Sequence, residues 1–142
     1  MREYVVDASV ILKWILGDER EPDQEKATDL LNDWVEGRSQ ISAPTIWQYE
    51  VGNFLGRENP EEAAEKMELL LNLKIINVGL SHDICQKCFI WMKENGVTFY
   101  DASYLAAAYE RGATLVTADE AFVNKMSNME HVCLLKDLDL AM

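Results

Sequence analysis

Positive charge is in short supply in this sequence. Lys and Arg number 13 against 25 Asp and Glu, a formal net charge of −12 over 142 residues. Affinity for nucleic acid comes mainly from cationic side chains on phosphates, so this balance argues against non-specific binding of long polyanions. It suits a pocket for metal cations or a basic protein partner. Cysteine is sparse too: there are 3, an odd number, which argues against a disulfide framework. Cys85 and Cys88 form a C-x-x-C inside a helical pattern, with His82 just upstream. A structural zinc ion needs four ligands, and only distant His131 and Cys133 remain to complete a set. The pair therefore reads as small hydrophobes in a core.

Long apolar runs are absent as well. The most apolar stretch, residues 103–109, is far too short to span a bilayer. Asp7 and Lys13 interrupt the apolar N-terminal segment and no small-residue cleavage site follows, so no secretory signal peptide is expected. The expectation is a cytoplasmic protein with no membrane association. No low-complexity segment appears, and no second domain.

What the chain does have is an apolar fraction of 49%, enough for one well-buried core. Residues 1–142 are expected to form one domain. The organising stretch is Tyr4-Val5-Val6-Asp7-Ala8-Ser9-Val10-Ile11-Leu12: a valine-rich run stops at a carboxylate, and an apolar helix pattern begins at once. The figure returns as Thr114-Leu115-Val116-Thr117-Ala118-Asp119, again with a hydroxyl two residues from the acid. In open α/β sheets, ligands bind where strand turns into helix at the carboxyl ends of the strands.

Between these units the periodicity predicts helices over residues 8–16, 25–34, 44–56, 60–73, 81–94, 98–111 and 119–126. Pro44 is expected at the first helical position, after a Ser42 or Ala43 cap. Residues 17–24 read as a loop and residues 40–43 as a short strand or extended lead-in. Residues 74–78, 114–116 and 131–135 read as strands. Strands separated by helices imply a parallel sheet covered on both faces, an α/β fold.

Two further acids sit oddly on their helices. Glu50 falls within the apolar stripe of Ile46, Trp47, Val51 and Phe54. Asp101 is flanked on one face by Val97, Tyr104, Leu105 and Ala108. An inward carboxylate is costly unless paired or holding a metal. Four acids from four segments, Asp7, Glu50, Asp101 and Asp119, thus have reason to face a cleft. Gathered together they would repel one another and their pKa values would rise. Hard oxygen ligands of this kind suit Mg²⁺ or Mn²⁺, which can activate water and neutralise charge on a phosphodiester. Each has a plainer reading beside this one. Asp7 and Asp119 suit helix N-caps, and Thr98–Asp101 and Thr117–Glu120 both fit capping-box spacing. Glu50, in mid-helix, has no capping role, and its plainer reading is a partly exposed acid.

Together, Val6-Asp7-Ala8-Ser9, helical Glu50, Asp101-Ala102 and Thr117-Ala118-Asp119 resemble the PIN-domain family, and more narrowly its compact VapC-type toxin ribonucleases of toxin–antitoxin pairs. The resemblance runs from Tyr4 to about Leu135. It implies a three-layer α/β/α sandwich around a parallel sheet, and metal-dependent endonucleolytic cleavage of RNA. It implies that Asp7, Glu50, Asp101 and Asp119 bind Mg²⁺ or Mn²⁺, with Thr117 and Ser9 supporting them by hydrogen bonding. It also implies a homodimer and a small antitoxin bearing basic residues. Apolar stripes on the helices of residues 25–34 and 60–73 point the same way, toward self-association.

Other readings fare less well or stay open. The haloacid-dehalogenase pattern D-x-D-x-T is not met, since Asp7-Ala8-Ser9 lacks a second Asp. A receiver domain would need an acidic pair and a late lysine. A non-catalytic PIN-like scaffold and a housekeeping RNA-processing nuclease remain as alternatives. Lys13, Arg57 and Lys93 are candidates for a local RNA-binding patch.

Overall fold

In the computed structural model, residues 1–17, 22–126 and 128–140 are described. Of the loop expected over residues 17–24, residues 18–21 lie outside them. The elements follow in order: β1 (Arg2–Val6), α1 (Ala8–Leu16), α2 (Gln24–Val35), β2 (Ser39–Pro44), α3 (Ile46–Glu58), α4 (Ala63–Asn72), β3 (Ile76–Val78), α5 (His82–Asn95), α6 (Phe99–Arg111), β4 (Thr114–Thr117), α7 (Glu120–Lys125) and β5 (Val132–Leu134). A 3₁₀ turn, Leu135–Asp137, follows.

The five strands pair in the order β3-β2-β1-β4-β5, all parallel. From β1 the chain steps outward through β2 to β3, then returns to the other side of β1 for β4 and β5. With right-handed crossovers, α1–α4 cover one face of the sheet and α5–α7 the other. This is the α/β/α sandwich expected from the sequence. The reversal of direction falls between β1 and β4, so the crevice beyond their carboxyl ends is the place where a ligand is expected.

Local chemistry explains the elements. Strands buried on both faces carry unbroken apolar runs; Val5, Val6, Leu115 and Val116 are all buried. Helix α6 packs against β1, β2 and β4, and its fully buried Ala102, Ala106, Ala107 and Ala108 allow a close approach to the sheet. Ser81 caps α5 by accepting from the Ile84 N–H. Gly96 and Gly112, at φ of 68° and 62°, end α5 and α6 in the left-handed region that glycine tolerates.

Three expectations are corrected. Pro44 does not open α3 but is the last residue of β2, paired with Val78. The Thr45 N–H reaches Val78 O at 3.4 Å, so the Pro44 nitrogen faces the β1 side, where pairing has ended at Val5 opposite Ser42. Its missing N–H interrupts no ladder. The strand expected from residue 74 starts at Ile76, because Lys74 takes a left-handed φ of 60° in the turn after α4. The apolar stripe of α2 is spent inside the protein: Ala27 and Leu30 are buried, and Trp34 packs on Trp14 of α1 with ring centroids 6.0 Å apart. On α4, Leu69 and Leu71 do stay exposed. Among the described residues, no helix is long and apolar enough to cross a membrane.

Candidate metal centre

The register Val6↔Val116 brings the next residues of the two strands, Asp7 and Thr117, level at the sheet edge. Asp7 is the N-cap of α1. Its Oδ1 accepts from Ser9 N at 3.1 Å, Ser9 Oγ at 2.5 Å and Val10 N at 3.4 Å. Its Oδ2 accepts from Thr117 Oγ1. Each hydroxyl also works in the other direction. Ser9 Oγ accepts from Ala118 N at 3.1 Å, and Thr117 Oγ1 accepts from Asp119 N at 3.0 Å. A hydroxyl oxygen can donate to a carboxylate and accept from an amide at once. Ser9 and Thr117 therefore stitch the β1–α1 turn to the β4–α7 turn.

Four donors on one carboxylate normally hold its pKa down. Burial outweighs them here, and the Asp119 charge adds to it: the Asp7 carboxyl is pushed up from 3.8 to about 6. Burial also raises Asp101, with the Asp119 charge next, against the relief given by Thr98 and Lys125. Glu50 is raised by burial, with Asp101 adding repulsion and a hydrogen bond from Tyr104 opposing it. The four predicted acids thus form one chain of mutual repulsion, Glu50 to Asp101 to Asp119 to Asp7.

Their placements differ. Asp7, Glu50 and Asp101 are half-buried, while Asp119 is exposed. Asp119 caps α7, its Oδ1 accepting from Phe122 N at 3.0 Å. Thr117, spent on Asp7, does not take the capping role that its spacing to Glu120 allowed. Thr98 does cap α6, accepting from the Asp101 N–H at 3.1 Å, and its side chain also relieves the Asp101 carboxylate. Asp101 and Asp119 share a cavity of about 100 Å³ with Thr98 and Lys125.

Among the described residues, no three His, Cys, Asp or Glu side chains stand closely enough to close around one ion. The donor chemistry nevertheless fits a hard divalent cation, because every candidate ligand is a carboxylate oxygen. Mg²⁺ commonly takes only one or two carboxylates and keeps several waters, so the Asp101–Asp119 wall meets that requirement. The cysteines do not fit such a site. Cys88 is buried, its thiol pushed up to about 11 chiefly by burial, and Cys85 is half-buried on the same helix. They pack, as expected.

Two residues of the site escaped the sequence reading. Tyr104 was visible only as an apolar flank of Asp101, yet its hydroxyl lies 2.5 Å from Glu50 Oε1. Lys125 had a weak signal: it lies four residues after Ala121 on α7, and both face the cavity. Lys13, Arg57 and Lys93 lie on α1, α3 and α5, and none lines that cavity.

Comparison with known proteins supplies the family. The PIN domain model matches residues 4–126. The chain belongs to the PIN-domain family. This PIN chain is 30% identical over 128 residues to Ribonuclease VapC3 of Pyrobaculum aerophilum, an alignment covering 85% of this chain and 92% of the relative. Among solved structures, it is similar to a toxin–antitoxin complex from Klebsiella pneumoniae, with a TM-score of 0.71 at 16% identity, covering 95% of this chain and 99% of that one. It is also similar to Mycobacterium tuberculosis VapC20, described as a Sarcin-Ricin loop cleaving toxin, with a TM-score of 0.62 at 15% identity over 88% and 94% of the two chains. At those identities the solved structures speak for the PIN fold.

Proposed function

We propose that this PIN protein is a metal-dependent endoribonuclease, one nuclease domain of the cytoplasm that serves as the toxin of a toxin–antitoxin pair. The observation that carries the reading is the Asp7 carboxylate, held by Ser9 and Thr117 at the reversal point of the sheet and coupled by charge to Asp119 and onward to Asp101. The VapC3 relative, named a ribonuclease, supports RNA cleavage, and the toxin–antitoxin proteins of the same fold support the toxin role.

Asp7, Glu50, Asp101 and Asp119 are the residues that would hold Mg²⁺ or Mn²⁺. Such an ion, when bound, supplies an activated water and neutralises charge on the phosphodiester. The protein's own groups do the rest. Ser9 and Thr117 fix Asp7 so that its oxygens cannot swing away. Carboxylates already raised by burial and repulsion gain most from a cation, because the cation removes both penalties. Lys125, beside Asp101, offers a positive charge for the RNA backbone inside an otherwise acidic surface.

A net charge of −12 keeps RNA binding local and suits an antitoxin that presents basic residues. Association into a homodimer is supported by exposed Tyr49, Leu80 and Tyr100, which line an apolar groove of about 300 Å³. Tyr49 and Tyr100 directly precede Glu50 and Asp101, so a second copy seated there would flank the acids. A monomer mass by light scattering at micromolar concentration would rule the dimer out.

A scaffold without catalysis is favoured by one observation, the open spacing of the acids. A cleavage assay on structured and unstructured RNAs with Mg²⁺ or Mn²⁺ separates the two. Asp7→Asn and Asp101→Asn are expected to lower cleavage by orders of magnitude, while exposed Glu61→Gln leaves it unchanged. Equal cutting by all variants means a contaminating nuclease, and no cutting with either metal leaves the scaffold.

A further inference from the structure

We propose that Tyr104 is a positioning residue that sets the direction in which Glu50 faces the acidic cleft, an assignment that rests on the metal-site reading above. Tyr104 lies on α6 and is 3% exposed, with its ring sunk among core side chains and its hydroxyl at 2.5 Å from Glu50 Oε1 on α3. These two helices cover opposite faces of the sheet. The bond therefore passes beyond the strand ends and ties one layer of the sandwich to the other.

Glu50 needs such a tie. It sits in mid-helix, where the backbone N–H groups around it are committed to the helix and offer its carboxylate nothing. Among the described residues, the bond from Tyr104 is its one hydrogen bond. A glutamate half-buried beside the Asp101 charge would otherwise gain by rotating toward water, since its side chain has ample rotamer freedom and repulsion pushes it that way. Tyr104 stands three residues after Asp101 on one face of α6, so the hydroxyl that holds Glu50 is mounted beside the very acid that repels it.

The tether also divides the two carboxylate oxygens. Oε1 is taken by the phenol, and Oε2 is left for another partner. A phenol suits this task because it donates without bringing a charge, and burial together with Glu50 pushes its pKa upward, which keeps the proton in place. Hydrogen-bond partners of metal-binding carboxylates typically change metal affinity or activity by about 10–100-fold when removed. Tyr104 makes its hydrogen bond to Glu50, so the effect assigned to it runs through Glu50.

Mn²⁺ binding, measured by calorimetry and by the paramagnetic signal of free Mn²⁺, tests this on the parent, Tyr104→Phe, Glu50→Ala, the double variant and Asp7→Asn. Phenylalanine keeps the ring, and thermal melting in chelator checks that the fold is retained. The expected result is a roughly tenfold or greater loss of Mn²⁺ affinity for Tyr104→Phe alone, and no further loss when it is added to Glu50→Ala. In cleavage assays, the half-saturating Mn²⁺ concentration rises by a similar factor while the rate at saturating ion recovers. An equal loss in both backgrounds, or no loss at all while Asp7→Asn still abolishes binding, overturns the tether and spares the metal site. A parent that binds no Mn²⁺ removes the metal site and the tether together.

Discussion

Thr117 Oγ1 donates to Asp7 Oδ2 across the seam between β4 and β1, joining residues 110 positions apart in the chain. The bond is a consequence of register: once Val6 pairs with Val116, the next residue on each strand meets its counterpart at the sheet edge. Thr117 is fully buried, so both halves of its hydroxyl chemistry are in use in a place water does not reach.

Replacing Thr117 by Val keeps the shape but removes a donor from Asp7 and an acceptor from the Asp119 N–H. Leaving those groups unpaired costs about 1–3 kcal/mol, and the Asp7 pKa rises further because a bond favouring its ionised form is lost. Thr117→Ser, which keeps the hydroxyl, is expected to cost only about 1 kcal/mol for the lost methyl. Urea denaturation of both variants checks the order, and an equal loss would remove the role given to the hydroxyl.

The Asp7 carboxyl ionises near 6 in the folded protein against 3.8 in an unfolded chain. Between those values the folded state holds more protons than the unfolded one, so stability falls as pH rises through that window. Glu50 and Asp101, also raised, add to the same slope. In chelator the parent is expected to lose up to about 1–3 kcal/mol from pH 4 to pH 7, and Asp7→Asn flattens much of that slope. Melting curves across the range test it, and an Asp7→Asn profile parallel to the parent's would contradict the assignment.

Asp119 both caps α7 and faces the cleft, and two substitutions separate the roles. Asparagine caps as well as aspartate, whereas alanine forfeits about 1 kcal/mol of capping. In chelator, Asp119→Asn is expected to melt with the parent and Asp119→Ala below it. With Mn²⁺ added, both lose the stabilisation that the parent gains by mass action. Retention of that gain by Asp119→Asn would remove Asp119 from the ion site.

Lys125 lines the cavity of Asp101 and Asp119, and the proposed function has it meet the RNA backbone. Lys125→Gln is expected to weaken RNA binding across sequences and to lower the salt dependence of binding by about one unit in the log–log slope. Filter binding at several salt concentrations, with catalysis disabled by Asp7→Asn, measures both. An unchanged slope would mean that Lys125 does not touch a phosphate.

The features that the sequence determined by itself are those set within about one helical turn. The valine run of β1, the cap of α1 at Asp7, the Ser81 cap and the stops at Gly96 and Gly112 each depend on neighbours three or four residues away, where local period and backbone chemistry decide. The inward bias of Glu50 and Asp101 was legible for the same reason, from their places in apolar stripes. What only the tertiary structure decided depends on partners far off in sequence. Pro44 reads locally as a helix opener, and becomes a strand end only because β1 stops pairing beside it. Tyr104 reads as core, and becomes the partner of Glu50, 54 residues away, only because α3 and α6 meet beyond the same strand ends. Lys125 enters the cleft because α7 folds back toward the turn before α6, where its ammonium donates to Gly96 O at 3.4 Å. Parallel pairing across long crossovers sets these meetings, and no local period encodes them.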